Sequence, residues 1–540
     1  MTLRGFFAGL ATAGICLAAS TWARPPRSSP IDAATSTPYA PERPRRSVDT
    51  TPVAPTGRTI HVKADGNLQE AIDAARPGDL IALEAGATYR GPFRLPRKDG
   101  DAWIQIAAKT PLPPLSAGQH VSPAIASRMP KLVASAGPVI AAEPASHHYR
   151  LVGLEIAPAE GTFLRALVQL GAAETAVDNL PHHIIIDRCY LHGDRRRGAR
   201  RGVAMNSRDT AVVHSYLADF KEVGADSQAI AGWNGIGPFT IADNYLEAAG
   251  ENVMFGGADP TIPDLVPADI EVLRNHLAKP LAWKIDAPEY EGVAWTVKNL
   301  FELKNARRVL VGGNVFEYNW PHAQNGFAIL FTVRNQDRAS PWSTVEDVTF
   351  ENNLVRHVAS GINVLGTDDI HPSQPTRRIA IHNNLFVDVG GRWGSGRLFQ
   401  LLDGASDVRI GHNTALQTDT VLSGGDRAPH LRFVFENNLV LHNRYGVIGS
   451  GTGPGRASLD RYFPRAVVKR NVFVGGPAGS YPADNFFPPS IDSVGFVDRQ
   501  REDYRLAPSS RYKRAATDGR DPGADIDAVA PATARETGRR

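Results

Sequence analysis

Short runs of alternating apolar and polar residues follow one another along most of this chain, and they come in groups of three. In one group the runs occupy residues 297–304, 307–311 and 315–318, with only a few residues between them. Alternation over such short runs is typical of half-buried β-strands. Because no segment between the groups has the period of an amphipathic helix, the pattern predicts three short strands per unit without crossover helices.

An asparagine followed by an apolar residue recurs between the second and third runs of these groups. Counted from Ser215, the intervals are 29, 31, 39, 39, 31, 29, 25 and 33 residues. A recurring period between about 20 and 50 residues indicates a stacked repeat. Asparagine bonds local backbone groups in tight turns, and stacked asparagines can also bond one another. We therefore expect these residues to be scaffold rather than catalysts: Asn244, Asn275, Asn314, Asn353, Asn384, Asn413, Asn438 and Asn471.

Three short strands per coil, with each coil stacked on the next, define an all-β parallel β-helix, or solenoid. The intervals also indicate where the coils exceed their minimal length. The two 39-residue intervals on either side of Asn314 contain residues beyond those that the strands and turns need. Because inserted loops of a solenoid project from one face and often carry the binding site, we expect the functional residues there.

The patterns divide the chain into four segments. Residues 1–23 combine a positively charged start, an apolar run and a small-residue cleavage sequence, which is typical of a secretory signal peptide. Residues 24–57 are rich in Pro, Ser, Thr and Arg and are predicted to be a flexible, disordered linker. The β-helix is expected over residues 58–512 with a capping helix over residues 68–75, and residues 513–540 are predicted to be a polar, disordered tail. This organisation predicts a secreted or periplasmic protein with no integral membrane segment after signal cleavage.

Composition narrows the classes of function. The 50 glycines and 40 prolines suit a turn-rich β protein, and 42% hydrophobic residues suffice for a continuous core. A formal net charge of +3 is too small to predict a nucleic-acid partner. Cys189 is the only cysteine after the signal, which excludes an intrachain disulfide in the mature protein. The sequence also lacks zinc-type Cys/His spacing, a phosphate loop and a Gly-x-Ser-x-Gly elbow, and we expect a monomer.

The start of the predicted domain resembles the N-terminal cap of secreted right-handed parallel β-helix proteins, a group that includes the pectate-lyase-like superfamily. The resemblance rests on residues 72–81 and 85–89 together with the asparagine repeats, and it extends over about residues 59–500. It implies a right-handed coil with an N-terminal capping helix. It leaves the activity open, because this superfamily includes lyases, hydrolases, epimerases and noncatalytic binders.

A second resemblance is to the alginate lyase and chondroitinase B family of polysaccharide lyases. It rests on residues 302–305, 314–316 and 330–335. In that family a Lys on one coil and an Arg on the next serve as base and acid, which implies Lys304 and Arg334 as the catalytic pair. The family binds calcium through two Glu residues that precede the Lys by five and seven positions; those positions are Asn299 and Val297 here.

Alternation along the first strand of each coil places further polar side chains outward beside this pair, because strands of neighbouring coils lie about 4.8 Å apart. Such a patch suits β-elimination, in which a cation neutralises a uronate carboxylate and a base removes the adjacent proton. A Lys serves as that base when nearby cations and burial lower its pKa. We therefore predict a lyase that cleaves an acidic, uronate-containing polysaccharide. The substrate-binding candidates are Lys284, Lys298, Trp320, His322, Asn335 and Asn363, and the candidate ligands of a Ca²⁺ cofactor are Glu302 and Asn252.

Two other functions remain open at this point. Asp368 and Asp369 are adjacent, and Asp403 is expected one coil further along. Such a cluster is compatible with a glycoside hydrolase similar to the polygalacturonases, in which one Asp acts as the acid and others activate water. The accompanying Gly-His-Gly and Arg-Ile-Lys motifs of that group are missing from this sequence. A noncatalytic glycan-binding β-helix is the third hypothesis, and the charged and aromatic residues in the two longest coils argue against it.

Overall fold

The structure is a computed structural model that describes residues 38–534. In this part of the chain, three long parallel sheets of 14, 13 and 12 strands run side by side, and each coil contributes one strand to each sheet in turn. We name them sheet A, sheet B and sheet C in that order. The arrangement is a parallel β-helix, so the predicted fold class is confirmed.

Sheet A contains strands Thr59–Val62, Leu80–Leu83, Ile104–Ala108, His147–Val152, His182–Asp187, Arg208–Val213, Phe239–Ala242, Ala268–Leu273, Ala306–Gly312, Val345–Glu351, Arg377–His382, Ser406–Gly411, Val434–Glu436 and Val467–Lys469. Sheet B contains Thr88–Arg90, Lys131–Ala134, Glu155–Pro158, Tyr190–His192, Tyr216–Phe220, Tyr245–Ala248, His276–Ala278, Val315–Asn319, Leu354–Val358, Leu385–Val389, Thr414–Gln417, Leu439–Leu441 and Val472–Val474. Sheet C contains Phe93–Leu95, Ile140–Ala142, Val168–Leu170, Arg201–Met205, Gln228–Gly232, Glu251–Phe255, Phe301–Leu303, Phe327–Thr332, Ser360–Leu365, Phe399–Leu402, Leu422–Gly424 and Val447–Gly449.

The helices are short and lie outside the sheets. The α-helices are α1 (Leu68–Ala74), α2 (Arg456–Tyr462) and α3 (Ile526–Thr533). Single 3₁₀ turns occupy Pro123–Arg128, Val177–Asn179, Leu281–Trp283, Gly391–Trp393, Ala478–Ser480, Asp492–Val494 and Arg499–Arg501, and Phe496–Asp498 pairs with Asp503–Leu506 as a small antiparallel hairpin. Helix α1 is capped by the Asn67 side chain, which accepts from Glu70 N–H, and it buries Leu68, Ala71 and Ile72 against the first coil. This is the predicted capping helix.

The alternating pattern folds because the apolar side chains of all three sheets meet in one continuous core. Strand Phe301–Leu303 places Phe301 and Leu303 in that core, and strand Phe327–Thr332 places Ile329 and Phe331 there. Alternation breaks at the corner where each coil enters sheet C, because two consecutive residues face inward at that point. Leu300 and Phe301 form such a pair, and both are buried in the core.

The recurring asparagines form a ladder along the turn between sheets A and B. The Asn314 side chain accepts from Asn275 N–H at 2.8 Å, and the Asn353 side chain accepts from Asn314 N–H at 2.9 Å. The same contacts recur from Ser215 to Asn485, which satisfies buried polar groups that water cannot reach. The left-handed backbone geometry belongs to the residue before each asparagine, such as Asp243 at φ 61°. The ladder confirms that these asparagines are scaffold.

Residues 38–57 lie in extended conformation along the outer face of sheet A, and we call them the strap. The backbone N–H groups of Tyr39, Glu42 and Arg45 donate to the carboxylates of Asp407, Asp347 and Asp269 at 3.0, 2.9 and 3.0 Å. Three residues of extended chain span about 9.3 Å, which matches two coil spacings of about 4.7 Å. Tyr39, Glu42 and Arg45 therefore each meet an Asp, with one coil skipped between successive contacts, and this part of the predicted disordered linker is ordered.

The C-terminal segment also differs from its prediction. Gly523 N–H donates to Asn437 C=O at 2.7 Å and Ala524 N–H donates to the Thr414 hydroxyl at 2.9 Å. Helix α3 then buries Val529 against sheet B residues. The first two contacts use backbone N–H groups and the third rests on a few apolar residues, so the polar composition that suggested a disordered tail did not reveal them.

The predicted signal peptide, the linker residues 24–37 and the tail residues 535–540 lie outside the described residues. Among residues 38–534, no helix has the length and apolar character needed to cross a membrane.

Candidate functional site on sheet C

The outer face of sheet C carries a row of polar side chains that crosses several coils. Arg201, Gln228 and Glu251 stand opposite one another on three successive strands. Glu302, Leu330, Asn363 and Gln400 form a second column on the following strands. We call this row the polar stripe, and its members are Arg201, Gln228, Glu251, Lys298, Asn299, Glu302, Lys304, Thr332, Asn363, Arg397 and Gln400.

Loops border the polar stripe on both sides. On one side the chain passes from sheet C to sheet A, and the loops after strands Phe301–Leu303 and Phe327–Thr332 bring Lys304 and Arg334 to this border. On the other side it passes from sheet B to sheet C through residues 279–300 and 320–326, the inserted loops of the two longest coils. The predicted site therefore falls on one face of the β-helix between two loop borders.

Lys304 and Glu302 lie at the middle of the polar stripe. The Lys304 ammonium is 3.7 Å from Glu302 Oε1, and the Lys304 side chain is 14% exposed. Glu302 also accepts from Asn299 Nδ2 at 2.9 Å and from the Thr332 hydroxyl at 3.2 Å. Glu302 is thus held in place by neutral donors, while Lys304 keeps a solvent-facing ammonium that is within reach of a ligand on this face.

Arg334 is adjacent to Lys304 because its backbone N–H donates to Lys304 C=O at 2.9 Å. Its guanidinium donates to Asp368 Oδ1 at 2.7 Å and also contacts Asp369, and its side chain is 26% exposed. Burial lowers the pKa of Arg334, but the hydrogen bonds to Asp369 and Asp368 outweigh burial and raise that pKa above its ordinary value. Arg334 is therefore a permanent cation with one edge available to an anion.

Glu251 belongs to the polar stripe but is not among the predicted site residues. Its side chain is fully buried, Gln228 Nε2 donates to its Oε2 at 2.8 Å, and its Oε1 has no hydrogen-bond partner. Burial, together with the nearby carboxylates of Glu302 and Asp226, raises the pKa of Glu251 to about 7. The sequence contains a signal for it. Asn252 and Val253 are the two consecutive residues that face inward at this coil corner, so the residue before them, Glu251, faces outward.

Lys298 connects Glu251 to the loop border. Its ammonium donates to Asp226 Oδ2 at 2.5 Å and lies 3.6 Å from Glu251 Oε1. Burial lowers the pKa of Lys298, but Glu251 and Asp226 outweigh burial and raise it. Lys298 is thus a charged group suited to binding an anion rather than a neutral base.

Asn252 does not belong to the polar stripe, although strict alternation predicted that it would. Its counterparts at the coil corner are Leu300, Ala328 and Leu398, which all lie in the core. The Asn252 side chain accordingly faces inward, where it accepts from the Lys279 ammonium at 3.0 Å and donates to two backbone carbonyls. Lys279 donates to three further carbonyls there, so Asn252 is structural.

Two of the predicted substrate-binding side chains are buried and engaged elsewhere. Asn335 donates to Pro372 C=O at 2.8 Å and accepts from Ser340 N–H at 2.8 Å, which ties two loops together. Trp320 packs against Trp283, Trp295 and Ala249 under the inserted loop. Both side chains position the loop borders, and the indole of Trp320 does not present a face to solvent.

The remaining candidates are nearer to solvent. Asn363 is half-buried on the polar stripe and accepts from Gln400 Nε2 at 3.2 Å. His322 is exposed in its loop, where its Nδ1 accepts from Val297 N–H at 3.3 Å. Lys284 lies farther along the inserted loop and pairs with Asp286. Asn363 and His322 therefore border the same face as Lys304. The charge of Lys284 is instead paired with Asp286 within the loop.

The three aspartates of the hydrolase alternative are committed to arginines and backbone groups. Burial raises the pKa of Asp368, but hydrogen bonds from Ile370, Asn335 and Arg334 outweigh burial and lower it. The hydrogen bond from Arg427 lowers the pKa of Asp403. A glycoside hydrolase needs one protonated carboxyl as its acid, and neither of these two aspartates has the raised pKa that this role requires.

The predicted calcium ligands do not fit a calcium site. Ca²⁺ takes six to eight oxygen ligands from groups that face a common centre. Glu302 and Asn252 face opposite sides of sheet C, and the ammonium groups of Lys304 and Lys298 stand beside the stripe carboxylates Glu302 and Glu251. The positive charge on this face is thus supplied by side chains of the protein.

Comparisons with known proteins identify the fold. No protein-family model and no curated protein matches this chain. A solved structure of a mannuronic acid specific polysaccharide family 6 lyase from human gut microbiota is 12% identical over 84% of this chain and 91% of that chain, with a TM-score of 0.51. This similarity shows a shared parallel β-helix.

Two other matching structures have lower scores. A PL6 alginate lyase in complex with a trisaccharide is 12% identical over 90% of this chain and 96% of that chain, with a TM-score of 0.49. The catalytic unit of a GH87 α-1,3-glucanase from Streptomyces thermodiastaticus is 14% identical over 78% of this chain and 70% of that chain, with a TM-score of 0.48.

Proposed function

We propose that this protein is a polysaccharide lyase that cleaves a uronate-containing chain by β-elimination on the outer face of sheet C. The observation that carries the proposal is the adjacency of Lys304 and Arg334. Their backbones are hydrogen-bonded at 2.9 Å, and both side chains are partly exposed at the same border of the polar stripe. A base beside a fixed cation is the pair that elimination next to a carboxylate requires.

The roles follow from the partners of each side chain. Arg334 is held by Asp368 and Asp369, so it stays charged and binds the uronate carboxylate that must be neutralised. Lys298 supplies a second cation across the polar stripe. Both cations stabilise the negative charge that develops on the carboxylate when the neighbouring proton leaves. Arg334 is therefore assigned to binding and charge stabilisation, which differs from the acid role that the family resemblance implied.

Lys304 acts as the base in its neutral amine form. It takes the proton from C5 of the uronate, the C4–O4 bond breaks, and a C4=C5 double bond forms. The departing O4 then takes a proton from the Lys304 ammonium, so the residue returns to the amine form and no water is consumed. Glu302, which is fixed by Asn299 and Thr332, orients the Lys304 ammonium through their 3.7 Å contact.

This mechanism contains no metal-dependent step. Arg334 supplies the fixed positive charge that binds the uronate carboxylate, and Lys298 balances the carboxylate of Glu251, so side chains take the electrostatic role that a bound Ca²⁺ would have. Activity is accordingly expected to persist after divalent cations are chelated, and a complete loss on chelation that Ca²⁺ restores would contradict this part of the proposal.

The test is a panel of acidic polysaccharides with two readouts. Alginate belongs in the panel because it contains mannuronic acid, for which the matching polysaccharide family 6 lyase is specific. Polygalacturonate, glucuronate-containing glycosaminoglycans and a neutral glucan as control complete the panel. We expect ultraviolet absorbance of the conjugated double bond to rise in step with new reducing ends for at least one uronate polymer. Reducing ends without that absorbance would show hydrolysis, and binding without any product would show a noncatalytic glycan-binding protein.

We also propose that the protein is exported and works as a monomer on its polysaccharide. The support for export is the signal-like sequence of residues 1–23. A polymer substrate also favours an extracellular or periplasmic location, since it is too large to enter the cytoplasm. Fractionation of cells that produce the protein, followed by size-exclusion chromatography of the exported form, tests both statements.

A further inference from the structure

Four histidines gather on sheet A, on the face of the β-helix that the proposed site does not use. Strand His147–Val152 and strand His182–Asp187 are neighbours, and each begins with two consecutive histidines. His147 and His182 are register partners, and their rings stack with centroids 4.7 Å apart. The rings of His148 and His183 stack with centroids 4.5 Å apart. We call these four residues the histidine cluster.

The ring nitrogens of the cluster converge. One nitrogen each from His148, His182 and His183 lie within 4.8 Å of one another, and His147 and His148 form a second such group with Asp101. Within each strand the two Nδ1 atoms are in contact, at 2.8 Å for His147 and His148 and at 2.7 Å for His182 and His183. Ligands of a tetrahedral zinc at about 2.1 Å lie about 3.4 Å apart, a separation within the range that these nitrogens already span.

The four rings are half-buried at the start of their strands. Imidazole nitrogen is a common metal ligand in proteins, and a half-buried group of rings holds such nitrogens in fixed positions. The cluster therefore offers several imidazole nitrogens to one ion.

The charges around the histidine cluster are balanced. Asp101 and Asp209 face it as carboxylates, while Arg208 and Arg46 face it as cations. Arg46 of the strap pairs with Asp209 at 2.5 Å, which leaves Asp101 beside His147 and His148 as an additional oxygen ligand. The surroundings therefore do not repel a dication.

The backbone places the second histidine of each pair at a regular corner of the coil. His148 and His183 adopt left-handed geometry, with φ of 57° and 50°, and the same geometry recurs at the equivalent position of other sheet A strands, for example at Asp209, Asp269 and Asp407. The corner is thus a feature of the fold, and the two neighbouring strands that carry histidine pairs bring four rings together there.

We propose that the histidine cluster binds one first-row transition-metal dication of the Zn²⁺ or Ni²⁺ class, through His148, His182 and His183 with His147 or Asp101 completing the ligand set. Imidazole nitrogen is a preferred ligand of these ions, whereas Ca²⁺ and Mg²⁺ prefer oxygen. The metal would cross-link two neighbouring coils beside the strap. The proposal concerns a separate face of the molecule and is independent of the lyase activity.

The test uses the full exported chain with any affinity tag removed. Metal-free protein is titrated with Co²⁺ while the visible d–d absorption is recorded, and Zn²⁺, Ni²⁺, Ca²⁺ and Mg²⁺ are then added as competitors. We expect one Co²⁺ per chain, displacement by Zn²⁺ and Ni²⁺, and no displacement by Ca²⁺ or Mg²⁺. Absence of a saturable Co²⁺ spectrum would overturn the proposal.

A matched pair of variants locates the site. In the double variant His148→Asn and His183→Asn, asparagine tolerates the left-handed backbone, so the fold should persist, and circular dichroism of the metal-free protein checks this. Loss of two ligands should weaken Co²⁺ binding by at least about 100-fold, since loss of a single outer-shell partner of a ligand already costs about 10- to 100-fold. His61→Asn, at an exposed position in strand Thr59–Val62, should bind as the wild type does. Equal affinity in the double variant and the wild type would contradict the site, and the single variant His182→Asn repeats the test if the double variant fails to fold.

Discussion

The outer faces of sheet A and sheet C both carry many charges, but the charges are arranged in different ways. On sheet A each of the three aspartates that accept from the strap N–H groups has its own arginine: Arg308 donates to Asp269 at 2.6 Å, Arg378 to Asp347 at 2.6 Å and Arg432 to Asp407 at 2.5 Å. On sheet C the corresponding contacts are looser, at 3.7 Å for Lys304 and Glu302 and 3.6 Å for Lys298 and Glu251, and Glu251 Oε1 has no hydrogen-bond donor.

The pKa values of one carboxyl on each sheet show the same contrast. Burial raises the pKa of Asp269 on sheet A, but hydrogen bonds from Arg308 and the strap outweigh burial and lower it. Burial and neighbouring carboxylates raise the pKa of Glu251 on sheet C to about 7. Paired charges with ordinary or lowered carboxyl pKa values are typical of structure, whereas unbalanced buried carboxyls are typical of functional sites. Arginine thus offsets the burial of Asp269, whereas Lys298 and Lys304 do not offset the burial of Glu251; Glu271 on sheet A, which also has a pKa raised by burial, does not follow this contrast.

The largest expected effect is the loss of the proposed base. Lys304→Ala should lower kcat by about 1000-fold, since positioned general bases contribute about 100- to 10,000-fold. Lys469→Ala is the matched control, because Lys469 on sheet A also lies 3.7 Å from a glutamate, Glu436. The rate of unsaturated-product formation is measured for both variants. Equal activity of the two variants would remove the distinction between the faces.

Arg334 is expected to have the second largest effect. Arg334→Ala should lower kcat/KM for the uronate polymer by about 100-fold, because one fixed charge at the developing anion is lost. Arg308→Ala on sheet A removes an arginine with a similar carboxylate partner, Asp269, and should change stability but not kcat/KM. Steady-state kinetics and thermal unfolding of both variants check this, and a kinetic defect in Arg308→Ala would show that the faces are not independent.

A ladder asparagine should affect stability alone. Asn353→Ala removes side-chain hydrogen bonds to Asn314, Asn384 and Val311 in the core of the turn. The free energy of unfolding should fall by about 3 kcal/mol, since buried groups are left unsatisfied. Chemical denaturation measures the change, and kcat below the unfolding transition should equal that of the wild type. A large fall in kcat with unchanged stability would assign the ladder a catalytic role.

The smallest expected effect concerns the pH dependence of stability. The pKa of Glu251 is about 7 in the folded protein against 4.5 as the ordinary value, so the folded state binds a proton more tightly than the unfolded state. The contribution of Glu251 is therefore fully present below pH 4.5, declines as pH rises, and is lost above about pH 7. Glu251→Gln should remove this decline in denaturation experiments between these pH values. An identical pH profile in both proteins would contradict the raised pKa.

The fold followed from the sequence because its signals are local and repeated. The intervals between the asparagines predicted the length of each coil. Because every coil has its own asparagine, an error in the prediction of one coil does not affect the next. The strap was not predictable in the same way. Its Pro-rich composition resembles a disordered linker. The contacts that order it include backbone N–H groups at Tyr39, Glu42 and Arg45, which composition does not reveal, and arginine side chains whose carboxylate partners lie far away in the sequence.

The site was harder to predict because the direction of its side chains, inward or outward, depends on where each coil turns into sheet C. Alternation placed Glu302 and Lys304 on the outer face, where the structure has them. The same rule failed one coil earlier, since two inward residues in succession turn Asn252 inward and leave Glu251 outward. Trp320 and Asn335 have residue types that suit carbohydrate binding, but burial under their own loops was not visible from composition.

The central claim is that cleavage proceeds by elimination, and the oxygen balance of the reaction tests it most directly. The active polymer from the panel is digested briefly in water labelled with heavy oxygen, and the product masses are measured. Elimination adds no solvent oxygen, so the account predicts unlabelled, unsaturated products from the wild type and none from Lys304→Ala. Products that gain one labelled oxygen per cleavage would contradict the lyase mechanism.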